Sequence, residues 1–188
     1  MAKIFLIRHG ESVESGGEMI LSKKGILQSK KLAKKLKKLN ISKIYVSNLK
    51  RALETYNEFH KLKPKIKTIK TSRLNEIYRK LVGGPKLQQV SKNRERNDKK
   101  RIESIIKEII KNLKKEENIV IFTHGNLIRY FIAKILNIKK ICLWREMTIS
   151  NASISLIEII NKKATMVFIN NTEHLVKNRR FIRKSSLV

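Results

Sequence analysis

Cysteine is nearly absent. Cys142 is the only one in 188 residues, so no internal disulfide can form, and no Cys/His pair has zinc-ligand spacing. A reducing cytoplasm and a metal-free fold are the expectation, with Cys142 read as a core residue. Long apolar runs are missing as well. Four apolar residues, Ile4 to Ile7, precede Arg8, which is too short for a signal segment, and no stretch approaches membrane-spanning length; a soluble intracellular chain with no membrane partner is expected. Aromatic residues make up 6%, which leaves no obvious platform for stacking bases, and no RNA-recognition motif is present. Acidic residues are scarce too, 15 against 44 Lys and Arg for a formal charge of +29. Such an excess attracts anions, and phosphate esters, acidic proteins and nucleic acid all qualify. Lysine-rich solvated faces give the same count, so charge alone names no substrate. No repeat of solenoid period occurs.

What the chain does contain is one pattern written twice. Ile4-Phe5-Leu6-Ile7-Arg8-His9-Gly10 and Ile119-Val120-Ile121-Phe122-Thr123-His124-Gly125 are both short apolar runs ending in histidine and glycine. Each reads as a buried strand that delivers an imidazole to the carboxyl end of a sheet, where open α/β sheets bind ligands.

Between and around them strands and helices alternate. Ser22 is placed to cap a helix carrying Leu32, Leu36 and Leu39; 43–46 reads as a strand; and Asn48 is placed to cap a helix with Arg51, Thr55 and Phe59. Pro64 ends that unit before a short strand at 66–69. From 72 to 98 the pattern dissolves into a polar segment with a charge run at 92–101, read as a short lid or insertion. An amphipathic helix through Ile102, Ile105, Ile106, Ile109, Ile110 and Leu113 follows, then a strand at 119–122, an apolar helix from Asn126 to Leu136, and β-rich runs at 152–160 and 164–169. The fold expected is a three-layer α/β/α sandwich with a mostly parallel mixed sheet and an antiparallel edge, a single domain over 1–176 followed by a basic tail at 177–188. The isoleucine-rich faces leave a homodimer open.

A neutral imidazole is a competent nucleophile toward phosphorus, and the transferring group needs several donors and cations around it. His9 fits the nucleophile. Arg8, Arg51 and His124 supply donors, and the backbone N–H groups from Gly125 into Asn126 lie at a helix N-terminus suited to an anion. Glu76, in Leu74-Asn75-Glu76, follows the third strand at the right end of the sheet to protonate the departing oxygen.

These residues resemble the histidine phosphatase, or phosphoglycerate mutase-like, superfamily. Arg8-His9-Gly10-Glu11-Ser12 is similar to its RHGE signature, Leu21-Ser22-Lys23-Lys24-Gly25 to its L-T/S-x-x-G, and Ser47 to Thr55 to its S-x-L-x-R-A-x-x-T. Leu74-x-Glu76, His124-Gly125 and Asn170-Asn171-Thr172-Glu173-His174-Leu175 resemble the acid, second-histidine and late motifs, in family order. The resemblance implies His9 as the phosphorylated nucleophile, Arg8, Arg51 and His124 as the phosphate pocket, Glu76 as proton donor, and no metal or cofactor. One departure stands out: Ser15 occupies the position where the family often has Asn, offering one hydroxyl toward phosphate or substrate. His60 and His174 are read as structural.

Glycolytic mutases of the family carry a larger insertion between the acid and the second histidine, whereas here 47 residues separate Glu76 from His124. A thin lid admits water, which favours a hydrolase, with a phosphoglycerate mutase as the alternative and a non-catalytic basic nucleic-acid-binding module as a further one. Residues 124–157, with Arg129, Tyr130, Trp144 and Asn151, are similar to the mitochondrial serine/threonine protein phosphatase branch. A small phosphorylated metabolite and a phosphoprotein therefore both stand as substrate classes, and Tyr130 and Trp144 also read as simple packing residues.

Overall fold

The computed structural model describes residues 1–86, 91–138 and 143–176; Cys142 and the basic tail at 177–188 lie outside the described residues. The two apolar runs ending in histidine are β1 (Ala2–Arg8) and β6 (Asn118–Thr123). They pair in parallel, Ile4 opposite Ile119, Leu6 opposite Ile121 and Arg8 opposite Thr123. Ile4, Leu6, Ile119 and Ile121 enter one hydrophobic core, and Phe5, Ile7, Val120 and Phe122 enter the other. Both runs are unbroken in hydrophobicity because the sheet is covered on both faces.

The six-stranded sheet runs β5-β4-β6-β1-β7-β8, with β4 at Lys43–Ser47, β5 at Thr68–Thr71, β7 at Ile154–Ile160 and β8 at Lys163–Asn171. Four strands are parallel, and β7 and β8 add the antiparallel edge. Helices α1 (Lys23–Leu36) and α2 (Lys50–His60) cover one face through Leu32, Leu36, Tyr56 and Phe59. Helices α3 (Lys92–Asn112) and α4 (Gly125–Ile135) cover the other through Ile102, Ile105, Ile109, Leu127 and Phe131. The expected sandwich is present. No helix among the described residues is long and apolar enough to cross a membrane.

Ser22 caps α1 as expected, its Oγ accepting from Gly25 N–H at 3.0 Å. Gly25 itself is required by proximity: a Cβ there would sit 2.0 Å from the Glu11 carbonyl oxygen, so the loop after β1 can press directly on the first turn. The other expected cap is not formed. Leu49 occupies the N-cap of α2 without a side-chain bond, and Asn48 instead donates its backbone N–H to Asn75 Oδ1 at 3.0 Å. Leu39 lies beyond the end of α1 and packs there as a partly buried residue.

Two further differences bear on the site. Residues 12–21 form a hairpin, β2 (Ser12–Ser15) and β3 (Glu18–Leu21), joined through Gly16 and Gly17 at φ +58° and +80°. Consecutive positive φ values suit a two-residue connection of twisted strands and favour glycine. The segment read as a polar lid is more built than its composition suggests: Leu74, Ile77, Tyr78 and Val82 are buried, and the charge run opens α3 rather than forming a loop. Its charges are paired inward, since Asp98 accepts the Tyr78 N–H at 2.9 Å and pairs with Arg101 at 2.7 Å. A four-residue helix, α5 (Leu143–Glu146), precedes β7.

Candidate active site

Because β1 and β6 are neighbours in parallel register, the residues that follow them meet. The His9 N–H continues the ladder to Thr123 O at 3.0 Å, His124 is the N-cap of α4, and the two rings lie 5.1 Å apart between centroids. Both side chains are buried.

His9 Nδ1 donates to its neighbour's carbonyl, Gly10 O, at 2.7 Å, which spends the single N–H of the neutral ring and leaves Nε2 with its lone pair. Arg51 Nε donates to that lone pair at 3.1 Å. Burial pushes the His9 pKa down to about 3, with the Arg51 and Arg8 cations adding to the fall and the Gly10 bond opposing it. The ring is thus neutral, in a fixed tautomer, with a nucleophilic nitrogen facing cations.

His124 is held by Ser47, Oγ to Nε2 at 2.7 Å. The Ser47 hydroxyl donates to Asn75 Oδ1 at 2.8 Å, so Nε2–H must be the donor to Ser47. The remaining ring nitrogen, Nδ1, is buried with no partner. His124 therefore donates to a bound phosphoryl group only after taking up a proton there, and burial holds its pKa well below the ordinary value until an anion arrives.

Glu76 is partly buried against the N-terminus of α4. Its Oε1 accepts from Ile77 N–H at 3.0 Å and Leu127 N–H at 3.1 Å, and Oε2 from Asn126 N–H at 3.3 Å. Burial raises its pKa and outweighs the lowering by those three amides and by Arg51. The amide of Asn126, expected to face a phosphate after Gly125, is engaged instead by this carboxyl group. The physical reason is the same in both cases: the N-terminus of α4 favours an acidic group, and the protein supplies its own.

Three arginines surround the group. Arg8 Nη1 donates to the Ile149 carbonyl, while its Nε is buried without a partner. Arg51 approaches from the start of α2. Arg129, on α4, donates from Nε to Met147 O at 2.8 Å and from Nη1 to Asn126 Oδ1 at 3.2 Å. The arginine ion pairs among the described residues involve Arg73, Arg94 and Arg101, none of them these three.

Several supporting residues were not among those assigned to the site from the sequence. Thr55 Oγ1 accepts the Gly10 N–H at 3.0 Å, and Asn151 Nδ2 donates to His9 O and Gly10 O at 3.3 Å each, so the loop after β1 is pinned from two sides. Arg101 Nη1 reaches Ser72 O, Arg73 O and Asn75 O at 2.8–3.0 Å, and Nη2 reaches Glu76 O at 3.2 Å. It clamps the turn that carries the acid. Ser47, Thr55 and Asn151 had a signal in the motifs that contain them; Arg101 had none, because it ends a run of mixed charges.

Ser15 is not gathered with the others. It is exposed at the end of β2, paired with Glu18 across the hairpin, and the hairpin is tied to α2 through Leu21 N–H to Glu54 Oε2 at 2.7 Å and Lys50 to Glu18 at 3.0 Å. His60 stacks on Tyr56, and His174 Nε2–H donates to Ala152 O at 3.0 Å, both away from the cluster. Tyr130 donates to Glu103 at 2.9 Å, and Trp144 packs over Gly84, where a Cβ would lie 2.8 Å from its ring. Among the described residues no group of three or more His, Cys, Asp or Glu side chains is placed to hold a metal ion.

The sequence profile of the histidine phosphatase superfamily (branch 1) matches residues 4–100 and 95–172. A probable phosphatase of Schizosaccharomyces pombe is 35% identical over 89 residues, 43% of this chain and 43% of that protein. The match thus spans under half the length of that curated relative. Among solved structures, YhfR of Bacillus stearothermophilus is similar with a TM-score of 0.76 at 20% identity over 94% of this chain and 100% of that one. A phosphoserine phosphatase from Entamoeba histolytica, in complex with phosphoserine, has a TM-score of 0.72 at 22% identity over the same shares. At these identities the two structures show the fold alone.

Proposed function

The chain belongs to the histidine phosphatase superfamily, and from that premise we propose that it hydrolyses phosphomonoesters through a phosphohistidine intermediate on His9. The observation that carries the reading is the state of His9: tautomer fixed by Gly10 O at 2.7 Å and Nε2 bare but for the Arg51 Nε at 3.1 Å.

An incoming phosphoryl group takes the donors of Arg51 and Arg8 onto its oxygens, and Arg51 releases the Nε2 lone pair as it turns to them. Nε2 attacks phosphorus, a P–N bond forms, and the P–O bond to the leaving group breaks in line. The proton of the Glu76 carboxyl goes to the departing oxygen, so a neutral alcohol leaves. Glu76, now a carboxylate, takes a proton from water as that water attacks phosphorus. The P–N bond breaks, inorganic phosphate forms, and His9 and Glu76 return to their starting states. Charge in the transition state is met by guanidinium groups and by His124 once protonated, so no step calls for a metal.

Hydrolysis rather than phosphoryl transfer between phosphoglycerates is favoured by the short lid. Of the 47 residues between Glu76 and His124, α3 takes 21 and β6 takes 6, leaving little chain to exclude water. The Entamoeba histolytica protein is a phosphoserine phosphatase, and a small phosphorylated metabolite or a phosphorylated side chain is the substrate class proposed here. The test is phosphate release, in the presence of chelator, from para-nitrophenyl phosphate, 3-phosphoglycerate and phosphoserine or phosphothreonine peptides. Turnover that disappears in His9→Ala is expected. Phosphoryl exchange between phosphoglycerates faster than phosphate release would identify a mutase instead, and turnover that survives the substitution would remove His9 from the chemistry.

A further inference from the structure

The turn that leads into β7 holds the backbone of the nucleophile. Ser153 N–H donates to Ser150 O at 3.2 Å and closes the chain over Asn151 and Ala152. Ala152 is fully buried at φ +54°, a left-handed value that favours glycine at such a place in a turn. A residue with a side chain keeps that conformation where its surroundings over-determine it. Three groups of the turn reach three consecutive residues of the site. The Ile149 carbonyl accepts from Arg8 Nη1, Ala152 N–H donates to His9 O at 2.9 Å, and Asn151 Nδ2 donates to His9 O and Gly10 O at 3.3 Å each. Gly10 O is also the acceptor that fixes the His9 tautomer.

The turn is itself gripped from the stretch Asn170 to Leu175, which the chemistry above leaves unused. Asn170 Oδ1 accepts the Ser150 N–H at 2.5 Å, and His174 Nε2–H donates to Ala152 O at 3.0 Å. Side chains from beyond β7 thus hold the turn at both of its ends. Asn170 is aimed there by an irregularity in the sheet: the register of β7 against β8 shifts between Ile154 and Leu156, and Asn170 takes φ +58°, a conformation in which asparagine is enriched. Neither side chain is hydrogen-bonded to Arg8, His9, Arg51, Glu76 or His124 among the described residues.

We propose that Asn170 and His174 are positioning residues for the nucleophile: through the turn at 150–152 they hold the His9 and Gly10 carbonyls, and with them the tautomer and direction of the His9 ring. A merely structural pair would tie β8 and the chain after it to the sheet, and its loss would lower stability without altering the ring. The effect on turnover rests on the hydrolase reading above; the effect on the His9 ring does not.

The experiment reads the His9 ring nitrogens by heteronuclear NMR in unliganded protein near neutral pH, beside kcat, KM and a thermal melt. Wild type is expected to show one tautomer, with Nδ1 protonated and Nε2 bare. Asn170→Gly removes the acceptor yet suits the backbone at φ +58°, and His174→Leu removes the donor. In each, the two ring nitrogen shifts should move toward one another as the second tautomer enters, and kcat should fall about tenfold or more while KM moves less than about threefold. Asn170→Asp and His174→Gln keep an oxygen acceptor and an N–H donor at these places and should recover most of both losses. Phe168→Leu, on the same strand and packed against the core, loosens the sheet edge without touching the turn and should leave the ring as in wild type. A wild-type ring signature in both Asn170→Gly and His174→Leu, a kcat within about twofold of wild type in both, or the same changes in Phe168→Leu at an equal fall in Tm overturns the proposal. If wild type turns over no phosphomonoester, the hydrolase reading falls and the ring signature alone decides the positioning.

Discussion

Ser47 fixes His124 through a hydrogen bond of 2.7 Å whose direction is set one residue further away, because the Ser47 hydroxyl is already donated to Asn75 at 2.8 Å. The second histidine is thereby held as a donor toward Ser47, with its other nitrogen reserved for the site.

Replacing Ser47 with alanine should therefore misplace His124 without unfolding the chain, since Asn75 Oδ1 keeps the Asn48 N–H as a partner. A fall in kcat of about 10- to 100-fold is expected for a misplacement of this kind, with partial recovery in Ser47→Thr. Steady-state kinetics beside a thermal melt checks it. A kcat within twofold of wild type would show that His124 needs no such support.

The pH dependence of turnover follows from two groups displaced in opposite senses. His9 must be neutral, and its pKa lies at about 3, so its protonation costs activity only well below the ordinary histidine range. Glu76 must be protonated, and burial raises its pKa above the ordinary carboxyl value, so activity falls as pH rises through that raised value. Once substrate ionisation is allowed for, the alkaline limb should disappear in Glu76→Gln. An alkaline limb unchanged in that variant would assign it to another group.

Stability should fall in acid for the same structural reason. The unfolded chain protonates His9 and His124 near pH 6.5, whereas the folded chain holds both pKa values below it. As pH drops through 6.5 the unfolded state gains protons that the folded state does not, and the loss attributable to His9 continues to about pH 3. Glu76 acts with opposite sign: the folded state protonates it first, so it returns part of the stability as pH falls through its raised value. Denaturant melts at pH 7 and pH 5 should show a smaller loss in His9→Gln than in wild type. Equal losses would contradict the buried, neutral state of His9.

Arg101 positions Glu76 without touching a substrate. Its guanidinium donates to four carbonyls of residues 72–76 and is itself fixed by Asp98 at 2.7 Å. Arg101→Met should lower kcat more for alkyl phosphates, whose leaving oxygen needs the proton, than for aryl phosphates, whose leaving oxygen needs it little. A general loss of folded protein would lower both equally, so the leaving-group contrast is the informative readout.

The parts of this molecule that could be read from the chain are those where local and global demands coincide. β1 and β6 announce themselves because burial on both faces forces unbroken apolar runs, and His9 and His124 follow as the residues just past their ends. Glu76 is legible by its place after a strand, whereas the choice of Asn126 and Leu127 as its partners is not, since it depends on how far α4 approaches a turn 50 residues earlier in sequence. The hairpin at 12–21 was marked only by Gly16-Gly17, because strands of four largely exposed residues leave little hydrophobic pattern. The 92–101 stretch misled for an electrostatic reason: a run of charges looks solvated until Asp98 and Arg101 are seen to turn inward and satisfy the Tyr78 amide and the 72–76 carbonyls.

The most direct test of the account is to trap the intermediate. Protein mixed for milliseconds with a phosphomonoester labelled at phosphorus, quenched under alkaline conditions that preserve phosphohistidine, and mapped by mass spectrometry should carry the label on His9, with none in His9→Ala. Rapid turnover with no label on any histidine, or label on His124 in place of His9, would contradict the mechanism drawn from the bare Nε2 beside Arg51.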